Sequence, residues 1–156
     1  MNAYPNLFVL SAVTELYAMP GLRLGYGMCS DGKLLSAMES ALQPWNVSIP
    51  AQAAGEAALR EDAYVERTRR LIRGERTYLE REMAALGLEV YPGTANFLFF
   101  EGPAHLEEDL KRLGFLIRDC SNYRGLKEGY YRVAVRTREE NDRLLAALGT
   151  CLGQKA

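Results

Sequence analysis

The sequence predicts an α/β protein whose second half is a compact α+β unit. Short apolar runs bounded by turn residues, such as NLFVLSA at 6–12 and LRLGYGMC at 22–29, alternate with longer segments of helical periodicity. From about residue 87 the predicted order is strand, strand, helix, strand, strand, helix. That order is typical of a small antiparallel or mixed sheet covered by helices.

The first strands and helices should bury little surface alone. The segment DGKLLSAMESAL places its apolar side chains on one helical face, and AQAAGEAALRE is a small-residue helix that can pack closely. A buried strand usually has partners on both edges. We therefore expect residues 1–60 to be the remnant of a larger domain, with strand 6–12 antiparallel to strand 22–29. The remaining open edge predicts a homo-oligomer formed through residues 1–50.

A long helix is predicted at 62–86, where Val65, Ile72, Leu79 and Leu86 recur every seven residues. This spacing fits a coiled coil, but a single helix packing on its own domain is the commoner case. Gly87 ends the helix. Residues 61–156 then form the second predicted domain, whose last helix opens with a capping box of Thr137 and Glu140.

Composition excludes several classes of protein. Of the 156 residues, 48% are apolar and 25% are charged, and the formal net charge is −1, so we expect a globular protein that binds no nucleic acid. The sequence contains no run of eighteen consecutive apolar residues, so we expect no helix that crosses a membrane. Cys29, Cys120 and Cys151 lie far apart, which predicts reduced thiols in a cytoplasmic protein and no metal site.

Candidate catalytic side chains are scarce. His105 is the single histidine and lies in the polar stretch PAHLEEDL, where a solvated residue at a helix start is the favoured interpretation. Lysine occurs only at positions 33, 111, 127 and 155. Arg23, by contrast, follows the turn pair Pro20-Gly21 inside an apolar run, a place where a cation can hold an anion.

Five motifs occur in an order that identifies a family: YAMPGLRLGYG, QPWNVSIPAQ, YPGTANFLFF, LIRDCSNYRGL and YYRVAVRTREENDRLLAAL. Together they resemble the C-terminal part of fold-type-I enzymes that use pyridoxal phosphate, in the class I/II aminotransferase family. The branch they resemble most contains histidinol-phosphate aminotransferases and threonine-phosphate decarboxylases. The resemblance implies the C-terminal domain of the pyridoxal-phosphate-dependent transferase fold plus a remnant of the large-domain sheet. We expect the family's N-terminal region, with most of its cofactor contacts, to be absent.

The resemblance assigns cofactor roles to the turn around Pro20. In the family a Schiff-base lysine stands eight residues before the arginine that holds the cofactor phosphate. Arg23 matches that arginine and Thr14 matches the residue before the lysine, but Glu15 stands at the lysine position. Ala12 stands where a phosphate-binding serine is usual. Because Glu15 has no amine, we expect no catalytic residue here, no bound pyridoxal phosphate and no activity from this chain alone.

The resemblance also assigns substrate roles in the second half. Arg132 matches the arginine that binds the substrate carboxylate, Arg118 resembles the arginine that contacts a distal phosphate, and Asn96 resembles an asparagine near the active site. From the residues alone, an ion pair of Arg132 with Asp119 or Glu128 is the alternative. For Asn96 the alternative is a turn-stabilising side chain.

Three functional hypotheses follow from these matches. The chain is a fragment or degenerate copy of an enzyme that resembles threonine-phosphate decarboxylase of cobalamin synthesis, or of a histidinol-phosphate or related aminotransferase, and its ligand is a phosphorylated amino acid. Alternatively it is a non-catalytic module that binds a partner or dimerises. In the third hypothesis a separate chain supplies the rest of the site.

Overall fold

The computed structural model describes residue 4 and residues 6–153. These residues form two compact units, Met1–Thr68 and Arg69–Ala156. The boundary falls inside the long helix α3 (Asp62–Ala85), which begins in the first unit and ends in the second. Helices and sheets mix as the sequence predicts. The assignment of residues 1–60 as a remnant of a larger domain stays a prediction.

The first unit is built on a two-stranded sheet. Strands β1 (Phe8–Ala12) and β2 (Gly25–Cys29) pair antiparallel, with Phe8 opposite Cys29, as predicted. Gly27 lets the Phe8 ring cross β2, because a Cβ at Gly27 would lie 2.5 Å from that ring. The second strand begins later than the predicted residue 22, since Pro20–Leu22 forms a 3-10 turn and Arg23 has a left-handed φ of 53°.

Two capped helices complete the first unit. Asp31 caps α1 (Gly32–Ala41) by accepting the backbone N–H groups of Lys33 and Leu34. Ser48 caps α2 (Ile49–Ala58) in the same way. Gly55 lets α2 pack closely on Leu24, because a Cβ there would lie 2.4 Å from the Leu24 side chain. The apolar face of α1 forms as predicted but is solvent-exposed, with its four large side chains 39–56% exposed: Leu34, Leu35, Met38 and Leu42.

The second unit is a four-stranded antiparallel sheet with helices on one face. Its sheet order is β3-β4-β6-β5. The elements that follow α3 are β3 (Glu89–Tyr91), β4 (Phe97–Glu101), α4 (Leu106–Arg112), β5 (Arg118–Asp119), β6 (Tyr130–Ala134) and α5 (Arg138–Cys151). This order is the one predicted from the sequence.

Alternation along the strands divides the sheet into a core face and an open face. Leu98 and Phe100 of β4 and Val133 of β6 are buried in a core that α3, α4 and α5 complete. Phe97, Phe99 and Arg132 point to the other face because successive side chains in a strand alternate. Ile72 and Leu79 of α3, and Leu86 just after it, belong to or pack against this core, so the heptad spacing reflects packing within the unit.

A charge network joins α3 to α5. The Glu75 side chain is 11% exposed and accepts Nε and Nη2 of Arg138 at 3.0 Å and Nδ2 of Asn141 at 3.0 Å. The Arg138 bond outweighs burial and lowers the pKa of the Glu75 carboxyl. At the start of α5 the predicted capping box forms, since the Glu140 carboxylate accepts Thr137 N–H and O–H. The Arg136 hydrogen bond and the cap lower the pKa of Glu140 to about 2.

The Glu75 network should make the chain acid-sensitive. A carboxyl whose pKa is lowered by folding stabilises the native state above its unfolded value and loses that contribution as pH falls below about 4.5. We expect Glu75→Gln to reduce the free energy of unfolding by about 1–3 kcal/mol at pH 7. The variant should also lose less of its free energy of unfolding than the wild type when the pH is lowered. Urea unfolding followed by circular dichroism at neutral pH and near pH 3 measures both effects. The exposed Glu128→Gln variant is the control and should behave like the wild type.

Candidate functional site

The turn between β1 and β2 is fixed by its own backbone hydrogen bonds. Val13 is buried, its N–H donates to the Leu24 carbonyl at 3.3 Å, and its carbonyl accepts the Met19 N–H at 3.3 Å. The Ala18 N–H donates to the Glu15 carbonyl at 3.1 Å, and Ala18 has a left-handed φ of 52°. The backbone of this turn is therefore determined by local bonds around a single buried anchor, Val13.

Arg23 closes the same turn. Its Nη1 donates to the Pro20 carbonyl at 3.1 Å, and the side chain is exposed. A guanidinium carries five N–H donors in a planar fork, so the donors not used in this bond stay open to solvent. The position suits a phosphate contact, and that role of Arg23 stays a prediction.

The residues around Glu15 do not fit a covalently bound aldehyde cofactor. Glu15 is exposed and Thr14 half-buried in the turn that follows β1. A Schiff base needs an amine, and a carboxylate has none. Lys33, the one lysine in the described part of the first unit, lies in the first turn of α1. Ala12 supplies no hydroxyl to hold a phosphate. The turn therefore lacks the group that would form an imine with pyridoxal phosphate.

Two of the predicted substrate arginines lie side by side on the open face of the second sheet. Arg118 of β5 and Arg132 of β6 are direct cross-strand partners. Side chains in that relation share a face, and like charges placed there repel each other. Tyr123 lies between them: Nη1 of Arg132 donates to its hydroxyl at 3.3 Å, and the Arg118 guanidinium lies 5.7 Å from its ring. The sheet thus presents two neighbouring cations on a shared aromatic support.

Arg132 is packed on an aromatic ring without an ionic partner. Its guanidinium lies 3.8 Å from the centre of the Phe97 ring. Its Nε is buried and has no hydrogen-bond partner among residues 6–153. In that same part of the chain no carboxylate pairs with it, so the alternative ion pair with Asp119 or Glu128 does not form. A buried donor left open in a native structure points to a missing acceptor.

Asp119 is engaged elsewhere. Its carboxylate accepts the Ser121 N–H at 2.9 Å and the Ser121 hydroxyl at 2.6 Å. These bonds lower the pKa of Asp119, which therefore stays ionised. Cys120, the next residue, is fully buried, and burial raises the pKa of its thiol above the ordinary value. The arginine pair therefore has no thiolate nucleophile beside it.

Asn96 lies just before β4, in a segment held from two sides. Its carbonyl accepts the Val135 N–H at 2.8 Å. The carbonyls of its neighbours, Ala95 and Phe97, both accept Nη1 of Arg76. Asn96 itself stays a predicted substrate contact.

Arg76 bonds to this segment, and no motif in the sequence marks it. The available signal is its place on α3, where Glu75 and Arg76 interrupt the apolar stripe of Ile72, Leu79 and Met83. Charged residues on a buried stripe need buried partners. The sequence does not reveal that those partners are backbone carbonyls nearly twenty residues further along the chain.

The remaining site predictions have simple outcomes. His105 is exposed and stands at the N-cap of α4, the helix-start position expected of it. Across residue 4 and residues 6–153, no group of His, Cys, Asp and Glu side chains has the geometry of a metal site. No helix in the described part of the chain is long and apolar enough to cross a membrane.

Comparison with known proteins gives a consistent set of relatives. The family model described as "Aminotransferase class I and II" matches residues 1–148. Threonine-phosphate decarboxylase of Salmonella typhimurium is 41% identical over 152 residues, which cover 95% of this chain and 42% of that protein. The histidinol-phosphate aminotransferase structure from Clostridium acetobutylicum matches with a TM-score of 0.94 and 28% identity, over 99% of this chain and 48% of that chain.

A further solved structure shares the fold and carries the cofactor. Histidinol-phosphate aminotransferase from Sinorhizobium meliloti, in complex with pyridoxal-5'-phosphate, matches with a TM-score of 0.83 at 23% identity, over 97% of this chain and 42% of that chain. At that identity the likeness concerns the fold. The chain spans less than half the length of each of these three relatives.

Proposed function

Because the chain belongs to the class I and II aminotransferase family, we propose that it is a non-catalytic member that keeps the binding site for a phosphorylated amino acid. The observation that carries the proposal is the pairing of Arg118 and Arg132 on one sheet face. The buried, unpartnered Nε of Arg132 supports it, because an anion is the natural acceptor there. The family uses pyridoxal phosphate, and Glu15 is the reason we expect this chain not to form its Schiff base.

The two cations suggest which ligand binds. The planar fork of Arg132 suits a carboxylate, which it can bind with two parallel hydrogen bonds. Arg118, one strand away, would then meet a second anionic group. O-phospho-L-threonine carries a carboxylate and a phosphate and is named in the decarboxylase relative. Histidinol phosphate carries a phosphate and an amine but no carboxylate, so it would leave the Arg132 fork without its acceptor.

Binding of O-phospho-L-threonine is the direct test. We expect saturable binding by isothermal titration calorimetry and an increase in melting temperature. Arg132→Gln should weaken binding about tenfold or more, because it removes a charge-assisted hydrogen-bond pair. Arg124→Gln removes an exposed arginine of the neighbouring loop and should bind like the wild type.

Three ligands separate the outcomes. No binding of O-phospho-L-threonine at millimolar concentration would disprove the retained site. Equal binding of histidinol phosphate would show that the carboxylate is not recognised, and would favour the aminotransferase-like ligand. Inorganic phosphate binding with the same affinity would show that only the phosphate is held.

Cofactor capture tests the second part of the proposal. When the chain is mixed with stoichiometric pyridoxal phosphate and reduced with borohydride, we expect no pyridoxyl group in the peptide that covers residues 11–27, since Glu15 has no amine. Mass spectrometry of the digest gives the position of any adduct. Defined labelling of Lys33 would instead show that another lysine takes over imine formation.

A non-catalytic dimerisation module is the second candidate function, and a specific surface favours it. Within the described residues, β1 and β2 pair only with each other, so each has an open edge. Leu10 of β1 is 78% exposed, and the apolar face of α1 lies open beside solvent. Exposed strand edges and apolar patches favour pairing with another chain. A second copy is the occupant we propose, because antiparallel pairing of one edge with itself is self-complementary about a two-fold axis.

Light scattering tests the second candidate. We expect a dimer or higher oligomer at micromolar concentration, and a monomer after Leu34→Glu combined with Met38→Glu. Ser36→Glu adds a carboxylate to the opposite face of α1 and should leave the oligomer intact. A monomeric wild type at the same concentration would contradict the proposed interface.

A further inference from the structure

We propose that Arg76 is a positioning residue for the anion site, which it fixes through the backbone of residues 95–97. The inference rests on the proposed function, because it concerns the ligand held by Arg132. It assigns to a buried arginine of α3 a role in ligand recognition that requires no contact with the ligand.

Arg76 is committed to the start of β4. Its side chain is 8% exposed, and its Nη1 donates to the Ala95 carbonyl at 3.1 Å and also to the Phe97 carbonyl. Its Nε forms an ion pair with the Glu80 carboxylate at 2.8 Å, one turn further along α3, without the geometry of a hydrogen bond. A rigid, planar group that bridges two carbonyls restricts both peptide planes at once.

The segment that Arg76 holds is also held from the opposite side. The carbonyl of Asn96, between the two residues that Arg76 binds, accepts the Val135 N–H of the segment after β6. Three successive carbonyls are therefore fixed, two by α3 and one by the neighbouring segment. Loss of the Arg76 bonds would remove two of these attachments and would leave two carbonyls without their partner.

Phe97 connects Arg76 to the proposed anion site, because it contacts both Arg76 and Arg132. Its carbonyl accepts Arg76, and its ring supports the Arg132 guanidinium at 3.8 Å. Phe97 lies opposite Ala134, so the ring and Arg132 are diagonal neighbours on one sheet face. An arginine that is held before the ligand arrives loses less conformational freedom on binding. The order of the ring therefore contributes to affinity.

Gly93 shows that the chain leaves room for this arrangement. A Cβ at Gly93 would lie 3.0 Å from Nη2 of Arg76. The loop before β4 thus passes close to the guanidinium without a side chain between them. The absence of a side chain at Gly93 therefore leaves space for the buried Arg76 guanidinium.

A purely structural role for Arg76 predicts a different result, and Arg138 provides the matched control. Arg138 also bonds to α3, through Glu75, the residue before Arg76, and among residues 6–153 none of its hydrogen bonds reaches residues 95–97. Arg76→Met and Arg138→Met should both lower the melting temperature. Only Arg76→Met should also weaken O-phospho-L-threonine binding, by about tenfold or more. Arg76→Lys keeps a cation that can reach one carbonyl and should fall between.

A second measurement follows the local stability of residues 95–97 in the protein without ligand. Amide hydrogen exchange of Val135, whose N–H bonds to Asn96, should accelerate more in Arg76→Met than in Arg138→Met, since Arg138 reaches this segment only through Glu75, Asn141 and Arg136. Exchange and calorimetry are both made on the full chain, below the melting temperature of each variant. If Arg76→Met does not fold, Arg76→Lys decides both measurements.

The outcomes separate this inference from the function on which it rests. If the wild type, Arg76→Met and Arg138→Met all bind O-phospho-L-threonine with the same affinity, the inference about Arg76 is wrong and the proposed function still holds. Unchanged Val135 exchange in the Arg76 variants would also overturn it. A wild type that binds no O-phospho-L-threonine would remove the proposed function, and the inference with it.

Discussion

Two adjacent buried charges on α3 organise the second unit. Glu75 accepts Arg138 and Asn141 of α5, while Arg76 donates to the backbone that leads into β4. Neither charge can be buried at acceptable cost without these partners, because an unpaired charge in the interior is strongly destabilising. These directional bonds fix α3 against α5 and against the sheet at the same level. The apolar core then packs around an arrangement already specified by directional bonds.

The open face of the sheet follows a different rule. Arg118 and Arg132 stand opposite each other, a placement that repels in the absence of an anion. Tyr123 and Phe97 support them, but no carboxylate in residues 6–153 neutralises Arg132. Ligand-binding sites commonly contain such unfavourable local interactions, since a group that already has its partners in the free protein gains less from a ligand. The geometry therefore separates the stabilising charges of α3 from the unneutralised charges of the sheet.

The sequence predicts features that depend on residues close together in the chain, and it does not predict contacts between residues that are far apart in the chain. The order of the strands and helices, the capping box at Thr137 and the antiparallel pairing of β1 with β2 can be inferred because turn residues and periodicity act over a few residues. The late start of β2 could not, since it depends on the left-handed backbone of Arg23. Periodicity also identified the apolar face of α1, but not that it is exposed. Arg76 was missed because its acceptors are backbone carbonyls, which carry no sequence signal.

The loss of one function need not remove the other, because the two sets of residues are stabilised independently. The turn that carries Glu15 is held by Val13, Met19 and Leu24, all in the first unit. Arg132 contacts Phe97 and Tyr123, and Arg76 bonds to the Phe97 carbonyl, all in the second unit. A substitution that replaces an amine by a carboxylate in the turn changes none of the bonds that place Arg132. Under the proposed function, an anionic amino acid can therefore bind at Arg132 even though the turn at Glu15 offers no amine to begin imine chemistry.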